Sequence, residues 1–515
     1  MTSTAQLGVI AAGHPLTARA GAKVLRQGGN AVDAAVAAIA ASTVCEPLLT
    51  GLGAGGYMLV VAPERDPVLL DFFVEASGRG FDPAAREELI PITVSFGDAI
   101  QVFNIGAASV GTYGMPAGLH AAATRFGRMP LTELVSPAVR LAREGVEVNA
   151  QQGYVLEILA DIVTSTPECA SLFAPEGRVL STGDTVRQPE LADALERLGT
   201  EGPAPFYTGD IAAAVVDWVA ARGGMLTAQD LTAYAVVDRE PVSVRYRGRD
   251  VVTNPPPSAG GILIARALSW LNDLPAPPSL DVIVGVMERI QTERTPEFLA
   301  SLDEEGFGQR FLSAGSAGPP AGSPGPRSGQ RSGGTGSTTH IAVTDRDGWA
   351  CSVTCSNGSC SGVVVPGTGL HLNNMLGEQD LNPLGFHKHP PGRRLPSMMA
   401  PTVVVREGTA ELVLGSAGSN RIRSAILQTI VRVIDDGMRA GEAVEAARVH
   451  FEDGVVYAEP GLDTAALEAL GHPVARFRER NLFFGGVQAV ERDRDGVFWG
   501  GGDPRRGGAA ITVEG

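Results

Sequence analysis

Residues 336–354 read GSTTHIAVTDRDGWACSVT, and they mark the sharpest change of character in the chain. Upstream, from Ser313 to Ser337, nearly every residue is Gly, Ser, Pro, Ala, Arg or Gln. Such a segment buries too little apolar surface to offset the entropy of ordering it, and by composition alone it is a mobile linker. Downstream, apolar and polar residues alternate from His340 to Thr354 around Asp347-Gly348, which predicts a β-hairpin. A second alternating stretch, TVVVREGTAELVLG (402–415), predicts another hairpin turning at Glu407-Gly408. It runs through the Gly-rich GSAGSN (415–420) into a helix predicted from about Arg421 to Asp436. Backbone N–H groups left free at a helix N-terminus stabilise an oxyanion. A hydroxyl-bearing strand start and a candidate anion hole thus fall within one predicted unit.

Working outward, apolar residues recur at helical spacing from Pro15 to Gln27, and Gly28-Gly29 supplies the stop. Asn30 is placed to cap the next helix, NAVDAAVAAIAAS. GLGAGGYMLVVA (51–62) reads as a Gly-rich turn entering a strand. It has no Gly-Lys-Ser/Thr ending and precedes a strand instead of opening a helix, the wrong order for a phosphate loop. Further helices are predicted within 114–148, over 189–222 and over 227–233, the last opened by a Thr227–Asp230 capping box. REPVSVRYRGRDVVTN (239–254) predicts a hairpin around Arg247-Gly248, and NPPPSAGG (254–261) breaks the chain before a helix starting near Ile262.

The bulk composition fits a soluble, enzyme-sized globular α/β protein: 515 residues, 44% hydrophobic, 19% charged, with 65 glycines for tight turns. A formal charge of −16 disfavours nucleic acid and anionic membrane surfaces as partners. The five cysteines, Cys45, Cys169, Cys351, Cys355 and Cys360, are odd in number and lack Cys-x-x-Cys spacing, so they read as ordinary packing or surface thiols. His387 and His389 are spaced like a metal pair but bring no further ligands, and no metal is expected. The N-terminus lacks a basic region followed by an apolar core, and Ala31 to Val44 is too short to span a bilayer. A cytoplasmic location is therefore expected.

A set of ordered motifs adds a resemblance. They are GGNAVDAAVA (28–37), GLGAGGYML (51–59), GMPAGLHAA (114–122), FYTGDIA (206–212), GGMLTAQDLTAY (223–234), NPPPSAGG (254–261), TTHIAVTDRDG (338–348), LNNML (372–376), GSAGSNRI (415–422) and DPRRGG (503–508). In order and spacing the chain resembles the γ-glutamyltranspeptidase family of N-terminal-nucleophile hydrolases, over nearly its whole length. The resemblance implies an α+β fold, a four-layer αββα sandwich built from both products of a self-cleaved precursor. The cut would fall between Ser337 and Thr338, giving a large subunit 1–337, with 313–337 as its tail, and a small catalytic subunit 338–515, together one intertwined domain.

The chemistry requires that cut. A Thr hydroxyl is a poor nucleophile at neutral pH, but a free α-amine with a pKa near ~7.7–8.0 is partly unprotonated and can take its proton directly or through water. No cofactor is needed. By resemblance Thr338 is the nucleophile, Ser356 supports its amine, and Gly418 and Ser419 form the oxyanion hole. Asn357, offset by one residue, and Ser397 would hold a substrate α-carboxylate, while Glu378 would receive the α-amino group. Two positions depart from the family. Val74 stands where a carboxylate-binding Arg is expected, although its partner Glu75 is kept, and Met398 replaces the second residue of a Ser pair. Arg79 is the nearby cation that would substitute.

The activity implied is cleavage of γ-glutamyl amides such as glutathione through a γ-glutamyl ester on Thr338, with the acyl group passed to water, an amino acid or a peptide. The alternatives are a glutaryl or N-acyl amidase with an altered acyl pocket, and an unprocessed protein that only binds. The partners expected are a small-molecule amide and the two subunits of one precursor.

Overall fold

The computed structural model describes residues 5–95, 100–314 and 337–515. Most of the predicted linker, 315–336, lies outside the described residues. Two sheets stack face to face. The first has seven strands in the order Ala509–Glu514, Gln6–Ala12, Thr338–Asp345, Ala350–Ser356, Gly55–Val61, Val68–Phe72 and Val237–Arg239. The second has six, in the order Phe498–Gly502, Gly486–Arg492, Thr409–Ala417, Thr402–Arg406, Arg249–Thr253 and Val242–Tyr246. Helices Pro15–Arg26 and Ala31–Cys45 cover the first sheet, and Ala259–Asn272 and Arg421–Ile434 cover the second. This is the four-layer αββα sandwich of the N-terminal-nucleophile hydrolases.

Strand alternation decides which layer each side chain enters. Ile10, Ala12, Ile341 and Val343 pack against the helices, whereas Val9, Ala11 and Ala342 pack toward the second sheet. The same parity sends Thr339 to the helix side and Thr338 and His340 to the space between the sheets. The His340 ring fits there because position 415 is Gly: a Cβ at 415 would lie 2.3 Å from His340 Cε1. His340 is fully enclosed beside Thr354, and burial drives its pKa down to about 3, so it is a neutral packing residue.

The Ala-rich helix Ala31–Cys45 is buried at every position, since small side chains let a sheet and neighbouring helices approach from all sides. Asn30 and Asp33 close a capping box at its start, and Thr227 and Asp230 close another. Both predicted hairpins and the Arg247-Gly248 hairpin form as paired strands. Some boundaries differ from the sequence reading. The 189–222 region is three helices, Pro189–Glu201, Ala204–Tyr207 and Asp210–Ala220, because Gly202 (φ 69°) and Pro203 interrupt the first. The 114–148 region is two, Met115–Phe126 and Leu131–Glu144, followed by a two-residue strand. The helix after NPPPSAGG begins at Ala259, not near Ile262. Among the described residues, no helix is long and apolar enough to cross a membrane.

Candidate active site

Thr338 is the first residue of its strand and sits directly opposite Ser356, the last of the next strand. Its hydroxyl donates to Ser356 Oγ at 3.3 Å, and Ser356 Oγ donates to the Ser337 carbonyl oxygen at 2.6 Å. Gly358 N–H donates to Ser356 Oγ at 3.1 Å and completes its coordination. One hydroxyl therefore touches both the Thr338 hydroxyl and the oxygen of the peptide bond that precedes it.

An open cavity of about 430 Å³ begins at Thr338 and lies between the sheets. Its polar lining comes from Thr338, Ser356, Glu378, Asp380, Ser397 and Ser419, and its apolar lining includes Phe73, Met375, Met398 and Ile422. The lining contains two carboxylates and no guanidinium or ammonium group. Glu378 accepts from Ser359 N–H at 2.9 Å, and burial raises its pKa to about 7. Ser397 is fixed from behind by the NPPPSAGG turn: Ser258 Oγ donates to its carbonyl at 2.9 Å, and so does Ala259 N–H at 2.8 Å. Met399 N–H donates to Ser397 Oγ at 2.9 Å, which leaves the hydroxyl proton for a ligand. Gly418 and Ser419 lie in the turn between strand Thr409–Ala417 and helix Arg421–Ile434.

Three sequence candidates lie elsewhere. Asn357 does not line the cavity; its Nδ2 donates to the His371 carbonyl at 3.2 Å, so its amide braces a neighbouring loop. Glu75 is held by Arg79 at 3.2 Å and Arg394 at 3.7 Å, outside the cavity lining. Arg79 is also drawn to Asp230 at 3.5 Å, so the cation expected to replace the missing Arg is engaged in a separate ion cluster. Val74 is fully buried and belongs to the packed core.

Sequence reading missed three charged residues that frame this region. Asp380 lines the cavity beside Ser419; its only signal was its place two residues after Glu378. Arg394 is buried and pairs with Asp71 at 3.3 Å as well as with Glu75, contacts that depend on segments more than 300 residues apart. Glu46 ends the buried helix on the far face of the sheet, accepting from Thr339 Oγ1 at 2.7 Å and Thr17 Oγ1 at 3.1 Å. A carboxylate directly after fourteen apolar or small residues and one Asp was the available hint. Burial raises its pKa to about 7.

All five cysteines are buried free thiols, and burial pushes each pKa up. The rings of His387 and His389 meet the backbone carbonyls of Ala108 and Leu381 through their Nε2 atoms. Among the described residues, no group of three or more His, Cys, Asp or Glu is arranged to hold a metal ion.

The family model for gamma-glutamyltranspeptidase matches residues 17–513. The chain belongs to the gamma-glutamyltranspeptidase family. Members of that family similar to it include the Acylase ACY 1 proenzyme of Pseudomonas sp. (strain V22), 31% identical over 100% of this chain and 95% of the relative. The Glutathione hydrolase proenzyme of Escherichia coli (strain K12) is also 31% identical, over 97% of this chain and 91% of its own. Among solved structures, the cephalosporin acylase from Bacillus halodurans superposes with a TM-score of 0.83 at 26% identity, covering 99% of this chain and 97% of that one. Gamma-glutamyltranspeptidase relatives at equal distance thus carry two different activity names.

Proposed function

We propose that this protein is a self-processing amidohydrolase of the γ-glutamyltransferase type, with Thr338 as its nucleophile. The observation that carries this reading is the hydrogen-bond chain Thr338–Ser356–Ser337 carbonyl. In maturation, Thr338 Oγ attacks the Ser337 carbonyl carbon and Ser356 Oγ–H steadies the developing oxyanion. The C–N bond breaks as the amide nitrogen gains a proton, leaving an ester on Thr338. Water then hydrolyses that ester, giving a Ser337 carboxylate and a free Thr338 α-amine. The amine next serves as base for attack on a substrate amide, whose amine product departs before water or an amine acceptor resolves the acyl ester.

The acyl group is proposed to be γ-glutamyl. Glu378 gives the cavity a carboxylate suited to an α-ammonium group, and Ser397 Oγ–H is free to reach an α-carboxylate. A carboxylate-only acyl group such as glutaryl would face the carboxylates of Glu378 and Asp380 with no Arg or Lys side chain in the lining. A second reading, an acylase for another N-acyl amide, is favoured by Met398 in the lining and by Glu75, Arg79 and Arg394 pairing among themselves outside it.

Purified protein analysed by denaturing gel and intact mass should show two chains divided between Ser337 and Thr338, and Thr338→Ala should remain one chain with no turnover. A wild-type chain that stays intact on long incubation overturns the amidohydrolase reading. Turnover of γ-glutamyl-p-nitroanilide above that of glutaryl- and acyl-p-nitroanilides supports the first acyl assignment, and the reverse order supports the second.

A further inference from the structure

Ser419 stands where a side chain is out of place. Its φ is 51°, in the left-handed region that non-Gly residues seldom occupy without a local stabiliser. The preceding Gly418 has φ 116°, and Arg421 N–H donates to its carbonyl at 3.0 Å while Ile422 N–H donates to that of Ser419 at 3.1 Å. Among the described residues, neither the Gly418 nor the Ser419 N–H donates a hydrogen bond. The Ser419 hydroxyl is anchored: its Oγ donates to Asp380 Oδ2. Asp380 comes from a separate short turn, Gln379–Leu381, and lines the same cavity as Thr338. Three guanidinium groups, Arg294, Arg421 and Arg423, act electrostatically on its carboxylate. Arg294 also donates to Asn420 Oδ1 at 3.2 Å, bracing the residue after Ser419.

We infer that Asp380 is the positioning residue of the oxyanion hole, holding Ser419 by its hydroxyl so that the Ser419 N–H stays aimed at the oxygen that becomes negative during attack by Thr338. The inference rests on the proposed amidohydrolase reading. A donor fixed before reaction stabilises the transition state far more than one that must reorient. A glycine at 419 would enter the same φ region without an anchor. The need for Asp380 is therefore tied to the presence of the Ser419 side chain. A carboxylate that instead bound the substrate ammonium would matter equally with Ser or Gly at 419.

The test is a double-mutant cycle with Asp380→Ala, Ser419→Gly and the pair together, plus Asp380→Asn as the conservative variant. Each is assayed with whichever of γ-glutamyl-, glutaryl- or acyl-p-nitroanilide the wild type turns over. Asp380→Ala should lower kcat by about 10-fold or more, up to the roughly 10²–10³-fold cost of losing an oxyanion donor outright, with KM changed less than about 2-fold. Asp380→Asn, which keeps an acceptor for the hydroxyl, should recover most of that loss. Within the Ser419→Gly background, whatever its own turnover, adding Asp380→Ala should change kcat by less than about 3-fold. If Asp380→Ala fails to mature, the same cycle is read from the cleavage rate by intact mass; recovery of cleavage in the double variant supports the inference. An equal Asp380→Ala effect in both backgrounds, or an effect confined to KM, overturns it. A wild-type chain that neither cleaves itself nor hydrolyses any of the anilides overturns the amidohydrolase reading, and the inference with it.

Discussion

Ser356 Oγ donates to the carbonyl oxygen of Ser337 at 2.6 Å, so a hydroxyl already sits on the oxygen that would carry negative charge in the proposed attack by Thr338. Losing one oxyanion donor costs about 10²–10³-fold in rate. Ser356→Ala is accordingly expected to slow maturation about 10²-fold, while Ser356→Thr, which keeps a hydroxyl on Cβ, should stay within about 10-fold of wild type. Time-resolved intact mass of freshly purified precursor measures this. Equal cleavage rates for Ser356→Ala and wild type would remove Ser356 from the maturation step.

Restoring the family's Arg at position 74 is expected to fail. Val74 is fully buried, its carbonyl accepts from Leu395 N–H at 3.0 Å, and its Cγ1 would lie 2.3 Å from a Cβ added at Gly111. A guanidinium there must be overpacked and desolvated, a loss of ~3 kcal/mol or more. Val74→Arg should lower Tm and leave the γ-glutamyl KM no better. Met398 is the productive position, because it lines the cavity next to Ser397. Met398→Ser adds one hydroxyl worth about 1 kcal/mol and should lower the KM for γ-glutamyl-p-nitroanilide about 3- to 10-fold. Steady-state kinetics on both variants decide it; a tighter KM from Val74→Arg would show that this side chain reaches the cavity after all.

The contrast between these positions shows what was readable in the sequence. The strands around Thr338 were legible because period-2 alternation and an Asp-Gly turn are local signals, and parity then fixed which way Thr338, Thr339 and His340 face. The turn at Gly418 and Ser419 was legible because glycine and a helix start adjoin in sequence. What could not be read is long-range charge pairing. Arg394 with Asp71 and Glu75, Asp380 with Ser419, and Glu46 with Thr339 join segments far apart in the chain, and no pattern in one segment announces its partner. Asn357, just past the end of its strand, donates instead to the carbonyl of His371, a partner that its own segment does not announce.

Glu46 should give the protein a specific pH dependence of stability. Its folded pKa is raised by burial from 4.5 to about 7, with hydrogen bonds from Thr339 and Thr17 and the charge of Arg506 only partly opposing that shift. Between these two values the folded state holds a proton that the unfolded state has released, so this group lowers stability as pH rises from about 4.5 to about 7, and adds no further slope above that. Glu46→Gln keeps an acceptor oxygen for one threonine hydroxyl, offers its amide N–H as a donor to the other, and removes the titration. Relative to wild type, its stability should gain roughly 2–4 kcal/mol between pH 4.5 and 8. Urea unfolding of both proteins at the two pH values measures the gap; a gap independent of pH would mean that Glu46 is not protonated in the native state.

Glu378 leads to a prediction about substrate, because it titrates inside the cavity. Burial raises its pKa to about 7, against hydrogen bonds from the Asn374 and Ser359 groups that favour the ionised form. Below pH 7 it is mainly neutral in the empty site and above it mainly charged. If the acyl group carries an α-ammonium, only the charged form pairs with it, and kcat/KM must fall as pH drops through 7. The α-amine of Thr338 imposes its own fall in the same direction, with an ordinary pKa near ~7.7–8.0. The two are separated by substrate. The ratio of kcat/KM for γ-glutamyl-p-nitroanilide to that for an uncharged acyl anilide cancels the amine's contribution and isolates Glu378. That ratio should rise by up to about 10-fold from pH 6 to pH 8, the limit set by a single group titrating near 7. In Glu378→Gln it should become flat and low. A ratio in wild type that does not change with pH would place the ammonium elsewhere, or leave the acyl group without one.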